Sequence, residues 1–95
     1  MPLTYVRSET VVSRTIADET IVVPVRGGVG DLDSVYTFNG SGNAIWRLLD
    51  QPRSADEIAR CLQNDFSSEE FSRVLADVNK FLEELLSERL IEAKP

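Results

Sequence analysis

Val35-Tyr36-Thr37-Phe38-Asn39-Gly40-Ser41-Gly42-Asn43-Ala44-Ile45-Trp46-Arg47-Leu48-Leu49 changes its apolar period half-way along, and that change sets the fold class. Val35 to Phe38 alternates two aromatics with two smaller residues, as a half-buried strand does. Asn39-Gly40-Ser41-Gly42 interrupts the strand with turn formers. Ser41 is placed to cap a helix whose Ile45, Trp46, Leu48 and Leu49 share an apolar face. Within that stripe Trp46 reads as a core anchor rather than a ligand platform. The helix should stop near Asp50, ahead of Pro52.

Upstream, Val11–Ile16 and Ile21–Val25 are rich in β-branched residues and flank the short polar interval Ala17-Asp18-Glu19-Thr20, which predicts a hairpin. Pro24 has no N–H to give a ladder, so one side of the second strand should be unpaired or bulged there. Gly27-Gly28-Val29-Gly30-Asp31-Leu32-Asp33 then connects to the third strand. Its glycine spacing fits no dinucleotide fingerprint, it lacks Gly-Lys-Ser/Thr, and it leads into a strand instead of a helix, so it reads as a plain connector.

Downstream, Ser54-Ala55-Asp56-Glu57 is a capping box opening a second helix that buries Ile58, Cys61 and Leu62. Ser67-Ser68-Glu69-Glu70 repeats the box. Phe71, Leu75, Val78, Leu82 and Leu85 then step by three or four residues, which predicts a long third helix over about 68–87. Arg89-Leu90-Ile91-Glu92 can add a short terminal strand or an apolar clip, and Ala93-Lys94-Pro95 is expected to fray. The chain is thus an α+β sequence of short strands followed by three helices, read as a single domain over 1–95 with an ordered core of roughly 8–92.

The composition narrows the function. Ninety-five residues fit one thin-cored domain without a deep substrate cavity. With no histidine and a single cysteine, the usual general base, most transition-metal sites and any internal disulfide are missing, so neither cofactor nor metal is expected. The carboxylates of Asp56-Glu57, Glu69-Glu70 and Glu83-Glu84 fall on helix starts or solvent faces, where dipole interaction and solubility explain them without catalysis. The chain is therefore expected not to be an enzyme. A net charge of −6 repels phosphate backbones, which argues against nucleic acid as a partner. No apolar run is long enough to span a membrane and no signal-peptide pattern is visible, so a cytoplasmic protein is expected.

The third helix carries the one functional signal that periodicity provides. Plotted at 100° per residue, Val74 and Phe81 fall on a margin of the apolar stripe, beside Glu70, Asp77 and Glu84. An apolar margin rimmed by polar residues suits a peptide groove, and a wide core face would produce the same pattern.

Tyr36-Thr37-Phe38-Asn39-Gly40-Ser41-Gly42-Asn43-Ala44-Ile45-Trp46-Arg47-Leu48-Leu49-Asp50, followed by Arg53-Ser54-Ala55-Asp56-Glu57-Ile58, resembles the PqqD family. These are the pyrroloquinoline quinone biosynthesis chaperones and their relatives, the leader-peptide recognition elements of ribosomally made, modified peptides. The shared features recur in order over most of residues 10–92: a strand ending in an apolar residue and Asn, a small-residue break, an Ile/Val-Trp-x-Leu helix, a turn, and a Ser/Thr-x-x-Glu-Ile cap. The connector over 27–34, Pro24, and the Gly42-Asn43 helix opening depart from the quinone-pathway proteins.

The resemblance implies a winged helix-turn-helix in which a three-stranded antiparallel sheet precedes three helices. It implies that the leader of a precursor peptide joins the sheet as an added strand between the third strand and third helix. By position, Val35, Tyr36, Thr37 and Phe38 would supply the strand edge, and Val74, Asp77, Val78 and Phe81 the facing wall. The implied partner enzyme is a radical S-adenosylmethionine protein. An exposed edge also permits a homodimer. The alternative is a winged-helix transcriptional regulator reading DNA through a recognition helix, for which the third helix offers only Arg73, Lys80 and, past its end, Arg89 among many acids.

Overall fold

The computed structural model describes residues 3–26, 29–30, 35–66 and 70–95. The β-branched runs form the expected hairpin: β2 (Val11–Ile16) pairs with β3 (Glu19–Arg26) from Val11↔Pro24 to Ile16↔Glu19. The turn between them is only Ala17-Asp18, with Ala17 at φ 56°, a conformation that glycine holds more readily. β4 (Val29–Gly30) pairs with the end of β3, and β5 (Tyr36–Asn39) pairs with its first half, from Glu19↔Asn39 to Val22↔Tyr36. The connector residues 27–28 and 31–34 lie outside the described residues.

Pro24 sits where the ladder allows it. The Val25 N–H donates to Thr10 O, on the β2 side. Backbone groups alternate sides along a strand, so the Pro24 nitrogen faces the other edge, between the last residue paired with β5 and the first paired with β4. Among the described residues no strand partner stands opposite it there.

β5 runs directly into α1 (Gly40–Leu48). Ser41 was the expected cap, but the helix begins one residue earlier, with Asn39 at the N-cap position and no side-chain cap bond. Gly40 at φ +55° makes the sharp turn from strand to helix and so carries Ser41 inside the first turn. The Ser54 capping box forms as read: the Glu57 N–H donates to Ser54 Oγ (3.2 Å) and the Ser54 N–H to Glu57 Oε1 (3.3 Å), opening α2 (Ala55–Phe66). Ile58, Ala59 and Leu62 of α2 are buried, whereas Cys61 is only partly so. Residues 67–69, the expected second box, lie outside the described residues, and α3 (Phe71–Ser87) starts after Glu70 without a side-chain cap.

The buried stripe of α3 is Val74, Val78, Leu82 and Leu85, flanked by partly buried Phe71, Leu75 and Phe81. Val74 therefore lies within the core rather than on its margin, because α2 packs against α3 and the 74–78–82–85 line joins the buried cluster. α3 ends in a Schellman motif: Leu90 N–H donates to Leu85 O (2.9 Å) and Arg89 N–H to Leu86 O (3.0 Å). Arg89, at φ 61°, holds the left-handed position usually given to glycine, and Leu85 and Leu90 are both buried.

The Schellman turn feeds β7 (Ile91–Lys94), which pairs antiparallel with β1 (Thr4–Arg7); β6 (Arg53–Ser54) takes the other edge of β1. Residues 93 and 94, expected to fray, are thus fixed in a ladder, Ala93 opposite Tyr5 and Lys94 opposite Thr4. This second small sheet joins the antiparallel sheet of β2, β3 and β5, extended by the two-residue β4, and the three helices of the α+β, winged-helix architecture.

The core gathers Val22, Ile45, Trp46, Leu49, Ile58, Leu82, Leu85, Leu90 and Ile91. Trp46 is fully buried, stacked beside Phe38 at 5.7 Å between ring centroids, with the Arg7 guanidinium 5.1 Å from its own centroid. Arg7 also donates through Nε and Nη2 to Trp46 O (3.1 and 2.8 Å), satisfying a carbonyl at the end of α1. Burial pulls the Arg7 pKa below its usual value, and Asp50 partly offsets that pull. A polar chain that runs from the surface into the core ties the hairpin to α1: Thr15 Oγ1 meets Thr20 Oγ1 at 2.7 Å, and the buried Thr20 Oγ1 donates to the buried Asn43 Oδ1. No helix among the described residues is long and apolar enough to cross a membrane.

Candidate functional site

β5 has a partner on one edge only. β3 holds the first edge, and among the described residues no strand pairs with the second. Which groups that second edge offers follows from the register. Because the Val25 N–H points to β2, alternation sends the backbone groups of Val22 and Thr20 toward β5. Their partners Tyr36 and Phe38 therefore spend their N–H and C=O on β3, and Thr37 turns its own outward. An extended chain laid along this edge would meet unpaired donors and acceptors at Thr37.

The same alternation puts the Tyr36 and Phe38 side chains on the face that looks toward α3, while Thr37 is exposed on the other face. Between that face and α3 runs an open groove of about 620 Å³. Its apolar lining comes from Tyr36, Phe38, Phe81, Leu85 and Leu90, and its rim from Lys80, Glu83, Glu84, Ser87 and Glu88. Phe38 and Phe81 meet edge to face at one end, 5.4 Å between centroids. At the other end the Tyr36 hydroxyl donates to Glu88 Oε2 at 2.6 Å. These two contacts fix the relative direction: α3 runs antiparallel to β5.

Gly42 explains how α1 comes so close to this wall. A Cβ on Gly42 would stand 3.4 Å from the Phe81 ring and 3.6 Å from Phe38 Cβ, so a larger side chain would press on the aromatic pair.

Of the residues singled out in the sequence, the structure brings Tyr36, Phe38 and Phe81 together in the groove, with Thr37 on the open edge and Val35 exposed just before it. Val74 (8 % exposed) and Val78 (1 %) lie beneath, in the core, where they support the wall without forming its surface. Asp77 is exposed and does not line the groove. Lys80, Glu83, Leu85, Ser87, Glu88 and Leu90 were not singled out. The stripe that starts at Phe81 continues at i+3 and i+7 through Glu84, already named on that margin, and Glu88, so extending it toward the helix end would have found the second acid.

No group of three or more metal-ligating side chains occurs among the described residues. The exposed face of α3 sets Arg73 and Lys80 beside Asp77, Glu83 and Glu84, a poor surface for a phosphate backbone.

The family model described as coenzyme PQQ synthesis protein D (PqqD) matches residues 19–91. Among solved structures, TbiB1 in complex with the TbiA(beta) leader peptide is 26 % identical, with a TM-score of 0.79 over 92 % of this chain and 94 % of that one. The PqqD truncation of Methylobacterium extorquens PqqCD, a functional and stand-alone recognition element for ribosomally synthesized and post-translationally modified peptides, shares the fold. It is 15 % identical, with a TM-score of 0.68 over 94 % of this chain and 88 % of that one. Among curated proteins none matches this chain. With its matched segment reaching from the start of β3 to the first residue of β7, the chain belongs to the PqqD family.

Proposed function

We propose that this chain, acting over residues 1–95 as one cytoplasmic recognition domain without catalysis of its own, binds the leader of a ribosomally made precursor peptide and presents it to a modifying enzyme. The observation that carries the reading is the open edge of β5 alongside the groove walled by Phe81. TbiB1, alike in fold and a quarter identical in sequence, is a protein seen with a leader peptide bound, which supports the same use here.

The leader would add to β5 as a strand. Backbone bonds to Thr37 contribute roughly 0.5–1.5 kcal/mol each and are nearly blind to sequence. Specificity then comes from leader side chains that reach the groove, and ordering the free leader costs enough to leave affinities of roughly micromolar or somewhat tighter. Val35, Tyr36, Thr37, Phe38 and Phe81 act directly in this reading; Val74 and Val78 hold the wall from behind, and Asp77 flanks it. The family resemblance points to a radical S-adenosylmethionine enzyme as the partner. A second copy of the chain on the same edge would compete with the leader.

Calorimetric titration with leader peptides encoded beside the gene tests the proposal. Saturable binding that Phe81→Asp abolishes, with the variant still folded, is the expected result. Absence of saturable binding, or binding that Phe81→Asp leaves intact, would refute it. The winged-helix DNA reading is not favoured by the charge of α3, and a low-salt gel shift with random duplex should show no retardation.

A further inference from the structure

We infer that the groove selects leaders in which an apolar residue is followed two positions later by lysine or arginine, the leader running antiparallel to β5. The inference rests on the leader-binding reading above and adds to it the order, spacing and charge of two side chains.

The spacing comes from the register. A leader residue opposite Thr37 would exchange both backbone bonds with it and would point, as Thr37 does, away from α3. Its two neighbours fall opposite Phe38 and Tyr36 and point into the groove. Residues at i and i+2 of the leader therefore face α3, and the one between faces solvent.

The order comes from direction. Antiparallel pairing is the slightly more stable choice and continues the pattern that β3 and β5 already follow. An antiparallel leader passes Phe38 first and Tyr36 second. Its first groove-facing side chain meets the edge-to-face pair of Phe38 and Phe81, an apolar seat. Its second lies about 6.7 Å further on, at roughly 3.3–3.4 Å per residue. α3 runs alongside in the same direction, rising 1.5 Å per residue, so Glu84 and Glu88 stand about 4.5 and 10.5 Å beyond Phe81 and bracket that second position.

The charge comes from the rim. Glu83, Glu84 and Glu88 line this part of the groove and are exposed. Lys80, the one cation in the lining, precedes Phe81 and so belongs to the opposite end. A long basic side chain can lay its methylenes on Tyr36 while its head reaches the carboxylates. Exposed pairs are weak, so the preference for Lys or Arg over Gln should be roughly 1.5- to 5-fold.

A random peptide library displayed on mRNA and selected on the full chain at low salt tests this directly. Selected peptides should carry apolar-x-Lys/Arg, and the preference should fade at high salt. On a Glu84→Lys/Glu88→Lys chain, checked for fold by circular dichroism, the second position should switch to Asp or Glu while the apolar position persists. Selection that keeps the apolar residue but shows no charge preference, reverses the order, or is unchanged by the double substitution refutes this inference and leaves the groove reading standing. Failure of the unaltered chain to select any peptide, or selection indifferent to Phe81→Ala, refutes the groove reading and this inference with it.

Discussion

Replacing Thr37 by proline separates the two edges of β5, because the structure assigns them to different residues. Tyr36 and Phe38 direct their backbone groups to β3, so a proline at 37 removes no bond from the existing sheet. It removes the N–H that faces the open edge and puts a ring where an incoming carbonyl would dock. The preceding Tyr36 is already extended, the conformation that a following proline favours. Fold stability should therefore change by less than about 1 kcal/mol. Binding should lose one backbone bond of roughly 0.5–1.5 kcal/mol and, because the ring holds the strand away, weaken its neighbour too. A combined loss of about 1.5–3 kcal/mol corresponds to leader affinity falling roughly 10- to 150-fold. Denaturant melts and calorimetric titration of the same preparation read the two quantities separately. Unchanged affinity with a leader that binds the unaltered chain would show that the peptide does not use this edge. A large loss of stability would show that the assignment of inward and outward groups is reversed.

Other substitutions probe the fold around the groove. Val74→Asp should act on stability more than on recognition, costing about 3 kcal/mol or more because the carboxylate would be buried unpaired; chemical denaturation measures it. Gly40→Ala has open space for the methyl group but a φ of +55°, so a loss of about 1–2 kcal/mol in thermal or urea unfolding is expected from backbone strain alone. Arg89→Gly should do the reverse, raising the melting temperature by relieving a left-handed φ of 61°, with a net gain near 0.5–1 kcal/mol after the entropic cost of glycine. Thr20→Val would strand the buried Asn43 carbonyl beside an apolar group, while the exposed Thr15 hydroxyl can turn to water, and should cost about 1–3 kcal/mol, seen as a lower urea midpoint at unchanged slope.

Local chemistry made the hairpin, the change from strand to helix at Asn39-Gly40 and the Ser54 capping box legible in the sequence, since each is decided by residues that touch one another along the chain. β1 was missed for the opposite reason. Thr4–Arg7 is four residues long, and its partners Ile91–Lys94 lie at the far end of the chain, a pairing that no local window reveals. The orientation of α3 was legible only in part. Phe71, Val74, Leu75, Val78, Phe81, Leu82 and Leu85 make a stripe wider than one packing seam needs, and only contact with the rest of the fold, α2 above all, decides that its centre runs through Val74. Phe81 stayed near the surface for the same reason that Val74 did not. Half of the groove could thus be named from Tyr36, Phe38 and Phe81, whereas Leu90 entered it only through the Schellman turn that ends α3.

The pairing of Thr4 with Lys94, reinforced by the Thr4 hydroxyl donating to Lys94 O at 3.3 Å, has an engineering consequence. The chain enters and leaves this sheet side by side, about one strand spacing apart. A tether attached at either end therefore departs from the same spot, and an enzyme fused head-first or tail-first would be leashed at nearly the same distance from the groove. Linking the two ends and reopening the backbone at the exposed Ala17-Asp18 turn should yield a circular permutant that keeps the β5 edge and its facing helix intact.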